Sequence, residues 1–162
     1  MKIITKVGNL LDIKAGHIVH GCNSLGAMGS GVALAIRNMY PGAYESYRAT
    51  FDNEGLEMGW AYPYCPTPEL VIWNAITQEF YGSDGRRYVS YDAVQYAFKE
   101  INEAILHPDG PASIPQEIHI PFIGSGLGGG SWEIIKAIIE DTCTVPVTCW
   151  SINGKMPDGS PV

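Results

Sequence analysis

The sequence predicts an α/β domain with helices on both faces of one sheet, and three observations predict it. Short β-rich apolar runs alternate with amphipathic stretches from end to end. Tyr91, Val94, Phe98, Ile101 and Ile105 step by three and four residues, which puts them on one face of a helix. Two apolar runs, His17–Cys22 and Ile118–Ile123, each lead into a glycine-rich loop and then a helical pattern, the place where α/β sheets hold ligands.

The elements follow in order. Lys2–Val7 reads as a strand closed by Gly8-Asn9, and His17–Cys22 as a second strand. Gly29–Tyr40 reads as a helix whose apolar residues are Val32, Leu34, Ile36 and Met39, broken by Pro41-Gly42. Ala43–Phe51 is expected as a short helix. Trp60–Tyr64 and Leu70–Ile76 are β-rich and expected to pair across Cys65-Pro66-Thr67-Pro68. Residues 77–89 form a polar loop. Ser90 caps the next helix with Asp92 in its first turn, and the run His107-Pro108-Asp109-Gly110-Pro111 ends it. Ile118–Ile123 is the following strand. Ser131 caps a helix with Trp132, Ile135, Ile138 and Ile139 on its apolar side. Pro146–Ile152 is the last strand.

Size and charge bound the function. With 162 residues and 46% hydrophobic, the chain suits one domain with a sizeable core, placed at 1–153, followed by a loose tail at 154–162. The N-terminal residues lack a signal-peptide core and no apolar run approaches a membrane span, so a cytoplasmic protein without membrane contact is expected, as a monomer. The formal net charge of −7 disfavours polymeric nucleic acid. A small anion remains compatible, because backbone N–H groups hold one without a basic patch. Cys22, Cys65, Cys143 and Cys149 form no CxxC pair and no matching His cluster, so neither a metal nor a cofactor is expected.

The densest signal is Pro121-Phe-Ile-Gly-Ser-Gly-Leu-Gly-Gly-Gly-Ser-Trp132. Its glycines let the backbone approach a ligand ahead of a helix N-terminus, which favours a phosphate or diphosphate; a ligand-free flexible turn is the other reading. A Walker A loop fits poorly because Ser131-Trp132 follow Gly130 where Lys-Ser/Thr is required, and a Rossmann fingerprint lacks its following strand and an acidic residue at the right distance. The loop at 20–33, His20-Gly21-Cys22-Asn23 through Gly29-Ser30-Gly31-Val32-Ala33, repeats the same strand, loop and helix order.

These pieces resemble the macrodomain family, which binds ADP-ribose. The matching residues are Gly8-Asn9-Leu10-Leu11, Asn23 with Gly29-Ser30-Gly31-Val32-Ala33, and Pro121-x-Ile-Gly-Ser-Gly-Leu-Gly-Gly, and they cover nearly all of 1–153. Within the family the look is nearest to the ADP-ribose 1″-phosphate phosphatases of the yeast and phage-like branch, which carry a His before the Cys-Asn as in His20-Gly21-Cys22-Asn23. The resemblance implies a three-layer α/β/α sandwich on a mixed, six-stranded sheet. It implies ligand contacts from Gly29, Ser30, Gly31 and Val32 to the distal ribose. It places Ile123, Gly124, Ser125, Gly126, Leu127, Gly128 and Gly129 around the diphosphate. Asn9 would face the adenine, where the family most often has Asp, and its amide oxygen is expected to accept from the adenine amine. Asp12 is a substitute off the matched position. Trp150 is either a stacking partner for adenine or plain core.

Individual residues keep two readings. His20 is either a general acid/base at the reacting phosphate or a hydrogen-bonded core histidine. Asn23 either touches a ribose hydroxyl or shapes the turn. Ser30 and Ser125 either meet phosphate or only fill the loops. Phe80 and Tyr81 either cover the distal ribose or sit free on the surface, and Asp84, Arg86 and Arg87 are either phosphate-reaching or solvated. The glycine-loop residues Leu127-Gly128-Gly129-Gly130 lack the Asp that family members cleaving ADP-ribose from glutamate carry, which weakens that activity. The leading expectation is hydrolysis of ADP-ribose 1″-phosphate with His20 as the catalytic residue. The rivals are a non-catalytic ADP-ribose reader, an ADP-ribosyl hydrolase acting on macromolecules, and an unrelated nucleotide-binding domain.

Overall fold

Six strands lie in one sheet in the computed structural model, which describes residues 1–109 and 113–162. In chain order they are β1 (Ile4–Val7), β2 (Gly16–Asn23), β3 (Ala61–Thr67), β4 (Leu70–Gln78), β5 (Ile118–Ile120) and β6 (Val147–Ser151). Across the sheet the order is β1-β6-β5-β2-β4-β3, and every pairing is parallel except β3 with β4. The helices are α1 (Gly31–Met39), α2 (Pro41–Glu54), α3 (Tyr91–Leu106) and α4 (Trp132–Thr142), with a single 3-10 turn at Leu10–Asp12. No helix is long and apolar enough to cross a membrane among the described residues.

Strand alternation divides the core. Val19, Val71, Trp73, Ile118 and Ile120 pack against Val94, Phe98 and Ile101 of α3 and Ile135 and Ile139 of α4. On the other face, Ile18, Leu70 and Ile72 meet Ile36 of α1 and Ala43 of α2, while Cys22 and Ile76 meet Tyr47. The sandwich is therefore three-layered and mixed, as expected. Ser90 and Ser131 cap α3 and α4, each accepting from the backbone N–H three residues on.

Several boundaries differ from expectation. Pro41 does not merely break α1; it opens α2, because proline's missing N–H is an orphan at a first helical position anyway. Helix α1 starts at Gly31, with Gly29 and Ser30 still in the loop. The strand expected to run to Ile123 ends at Ile120, since Pro121 has no N–H for the ladder. Strand β3 continues through Cys65 and Pro66, which an edge position permits, and the chain reverses at Pro68-Glu69. Thr77 and Gln78 belong to β4 rather than to the loop. Gly110 and Pro111 of the run expected to end α3 lie outside the described residues. The tail expected to be loose instead folds back: Met156 N–H donates to Ser160, Val162 N–H donates to Gly154, and Lys155 bridges Pro161.

Candidate functional site

The C-terminal ends of β2, β5 and β6 open onto two cavities. The larger, about 710 Å³, lies between the loop after β2, the start of α1 and the loop after β5, with Thr77, Gln78, Tyr81, Gly82 and Ser83 closing the far side. The smaller, about 450 Å³, is walled by Gly8–Leu11, Trp150–Asn153 and Lys155–Pro157. Val32, Pro121, Phe122 and Gly126 line both, so the two form one continuous cleft. Its length suits a ligand with a compact middle and a bulkier group at each end.

Two loops shape the middle. Gly31 has φ of +59° and opens α1, and a Cβ at Gly29, Gly31 or Gly126 would meet nothing within 4 Å. Those three positions leave room for a ligand. The first-turn N–H groups of α1 lack partners inside the helix and the Ser30 hydroxyl makes no cap bond, so donors converge on the larger cavity. In the loop after β5 the remaining glycines serve packing: a Cβ on Gly128 would stand 2.7 Å from the Gly124 carbonyl, and one on Gly129 would strike the Arg86 carbonyl. Ser125 spends its hydroxyl proton on the Phe122 carbonyl at 2.7 Å.

The expected site residues divide. Gly29, Ser30, Gly31, Val32, Ile123, Gly124, Gly126, Leu127, Gly128 and Asn23 line the larger cavity, and Asn9, Ser125 and Trp150 the smaller. Gly129 lines neither. Asn23 is occupied with its own loop: Oδ1 accepts from Leu25 N–H, Ala27 N–H and the Tyr47 hydroxyl, and Nδ2 donates to the Ala27 carbonyl. These bonds shape the turn, and the residue lines the larger cavity as well. Tyr81 lines the larger cavity, whereas Phe80 and the Asp84–Arg86 pair do not.

The expectation for His20 is corrected. Its ring is 1% exposed, lines neither cavity, and holds Asn74 Oδ1 at 2.6 Å on the α2 face of the sheet. Burial pushes its pKa down to about 4, so it stays neutral at ordinary pH. β2 alternation puts it with Ile18 and Cys22 on the side of the sheet covered by α1 and α2. Neighbouring Cys22 lines the cleft but has a thiol that burial pushes far up, which removes it as a nucleophile.

Residues the sequence reading missed come from segments distant in the chain. Thr77 and Gln78 reach the cleft because β4 lies beside β2 in register, with Cys22 opposite Ile76 and Asn23 opposite Gln78. Thr77 Oγ1 is fully buried without a protein partner, next to Gly21, whose missing Cβ would stand 2.8 Å from it. The strand-end rule that nominated the other loops applied to β4 as well. Trp150 is held by His119: its Nε1–H donates to His119 Nδ1 at 3.0 Å, and His119 Nε2 meets Glu117 at 3.2 Å.

Against solved structures, the chain superposes on a macrodomain protein from Streptomyces coelicolor with a TM-score of 0.75 at 25% identity, covering 93% of this chain and 99% of that one. The fold is that of a macrodomain. A protein from Bacteroides thetaiotaomicron matches at TM-score 0.79 and 29% identity over 93% of this chain and 98% of that one. The macrodomain fold recurs in DarTG of Thermosipho africanus, solved in complex with ADP-ribose, at TM-score 0.74 and 17% identity over 96% of this chain and 43% of that one.

A 17.5 kDa protein from the tk-vs intergenic region of Enterobacteria phage T4 is 29% identical over 76% of this chain and 77% of its own length. A DNA ADP-ribosyl glycohydrolase of Thermus aquaticus is 25% identical over 83% of this chain, and the match spans 36% of that protein. An ADP-ribose 1″-phosphate phosphatase of Chaetomium globosum is 40% identical over 50 residues, 30% of this chain and 27% of the fungal protein. No protein-family model matches the chain.

Proposed function

We propose that the cleft binds ADP-ribose and that the protein releases phosphate from ADP-ribose 1″-phosphate. The observation that carries this is the chemistry of the cleft wall. Two glycine loops and the first turn of α1 line it, while no Asp, Glu, Lys, Arg or His lines the larger cavity among the described residues. Such a wall suits a diphosphate held by neutral donors. The smaller cavity, with Trp150, takes the base; the larger takes the distal ribose and its substituent.

The leaving group then decides which reaction is within reach. In ADP-ribose 1″-phosphate the phosphate hangs on the anomeric carbon. As the C1″–O bond breaks, phosphate takes the bonding electrons, the ring oxygen supports the positive charge at C1″, and water adds and gives up a proton to solvent. Phosphate, with a second pKa of about 6, departs as an anion without a proton donor. First-turn N–H groups of α1 and the Ser30 hydroxyl would stabilise its charge, and Thr77 Oγ1 offers an unused group near the far end of the cleft. A nucleobase or amide leaves less readily and calls for an acid such as a carboxyl or imidazolium, and none lines this wall among the described residues, which weighs against glycohydrolase activity. The same lack favours one second reading, ADP-ribose binding without turnover.

Calorimetry with ADP-ribose and a phosphate-release assay with ADP-ribose 1″-phosphate test the proposal together. Binding with release supports it. Binding without release leaves the reader, and no ADP-ribose binding removes both.

A further inference from the structure

The wall of the smaller cavity presents its hydrogen-bonding groups with one polarity. Asn9 Oδ1 accepts from Leu11 N–H at 3.0 Å, and because that partner is an N–H the atom facing it must be the oxygen. The amide Nδ2–H₂ of this exposed, cavity-lining residue is left over. Asn153 repeats the arrangement: Oδ1 accepts from Lys155 N–H at 3.0 Å, leaving its own Nδ2–H₂, while the Ser151 hydroxyl donates to the Lys155 carbonyl at 2.7 Å. The carbonyls of Asn9, Leu10 and Leu11 accept from Asp12 N–H, Ile13 N–H and Lys14 Nζ. Lys155 adds an ammonium, and no Asp or Glu lines this cavity among the described residues. The Asn9 and Asn153 amide N–H groups and the Lys155 ammonium are therefore unengaged donors, while the side-chain oxygens of Asn9 and Asn153 each already hold a backbone N–H.

We infer that this subsite reads a purine through acceptor atoms, so that a 6-oxopurine nucleoside diphosphate binds at least as tightly as its 6-amino counterpart. A 6-oxopurine shows two neighbouring acceptors, O6 and N7; a 6-aminopurine shows N7 beside an N6–H₂ donor. Asn9 Oδ1, already holding Leu11 N–H, keeps one lone pair for such a donor, whereas its own Nδ2–H₂, the Asn153 amide and the Lys155 ammonium all call for acceptors, and an unpaired donor that loses water weakens binding. Trp150 stacks either ring alike, so the preference lies in the edge contacts. This inference rests on the proposed reading that the smaller cavity is the base subsite, and it replaces the expectation that the Asn9 oxygen accepts from adenine.

The test is calorimetry on the full chain with IDP and ADP, which differ at C6 and carry the same charge, with ADP-ribose as reference. IDP is expected to match ADP or exceed it by roughly threefold to tenfold, the span of one hydrogen bond. Asn9→Asp keeps an oxygen for Leu11 N–H and exchanges the amide donor for an acceptor. The IDP:ADP affinity ratio should then swing toward ADP by a similar factor, whatever the added charge does to both. Should that variant melt early, Asn9→Ser keeps a capping oxygen, and its IDP advantage should vanish. ADP favoured by the wild type, or a ratio unmoved in the folded variant, overturns the inference while leaving ADP-ribose binding intact. Failure of ADP-ribose, ADP and IDP alike overturns the base-subsite reading and the inference with it.

Discussion

In the loop after β2, one buried side chain fixes the backbone: Asn23 makes four hydrogen bonds across residues 23–27 and to Tyr47. In the loop after β5, no side chain has that role. Gly130 N–H donates to the Gly124 carbonyl at 2.8 Å, and Tyr88 and Val89 N–H both donate to the Gly128 carbonyl. The first loop is secured by a polar residue and tolerates open glycines; the second is backbone pressed on backbone and tolerates no Cβ at its clamped positions. The same local composition, glycines before a helix, thus hides two kinds of constraint. Only geometry separates the glycines that make room for a ligand from those that make room for the protein.

Four experiments would break or sharpen this contrast. One of the two largest effects is expected from Gly128→Val, which forces carbon onto the Gly124 carbonyl and should cost about 3 kcal/mol in chemical denaturation. An unchanged denaturation midpoint would break the clamp reading. Next comes pH. His20 is held neutral with a pKa of about 4, against about 6.5 when unfolded. Between those values the unfolded state binds the extra proton, so stability is full above pH 6.5 and falls as pH drops toward 4. His20 alone accounts for roughly 3 kcal/mol of that fall. His17, also pushed down to about 4 by burial, adds to it in the same direction. Melting temperature against pH should flatten in His20→Gln, while phosphate release at pH 8 stays within about twofold because the ring lies outside the cleft.

Third, Asn23→Ala should cost about 2 kcal/mol and weaken ADP-ribose binding with it, since the loop it organises carries the ligand-facing glycines. Full affinity in a destabilised variant would show that the loop needs no such brace. Smallest in energy, but sharpest, is Gly126→Val. Its Cβ enters open space, so stability should shift by no more than about 0.5 kcal/mol while ADP-ribose affinity falls about tenfold, or 1.4 kcal/mol. Undiminished affinity would mean that the ligand does not pass this point.

Much of the architecture was legible because the signals were local. Serine caps before apolar periodicity marked α3 and α4, and the strand, glycine loop and helix order marked both cleft loops. Misreadings arose where one residue type has two uses. Proline both ends and begins helices, so Pro41 was read as a stop when it is a first helical residue. His20 was legible as a strand residue but not as one facing α2, because its face depends on neighbours 54 residues away at Asn74. Asn23 carried two readings, and its contacts to Leu25, Ala27 and Tyr47, which show how it shapes the turn, come from residues the sequence pattern does not link to it. Thr77, Gln78 and Lys155–Pro157 join the cleft only through sheet register and the fold-back of the tail, for which the chain holds no local mark.

Strand β3 bears the one exposed cysteine of four, Cys65, and the other three are buried. The antiparallel register sets Ala61 beside Ala75, near the cleft end of β4, and Thr67 beside Leu70, at the opposite end. Cys65 therefore stands toward the far rim of the sheet. A maleimide reagent would react there alone under native conditions, so a dye or surface tether can be attached without engineering, holding the molecule with its binding face turned outward to solution.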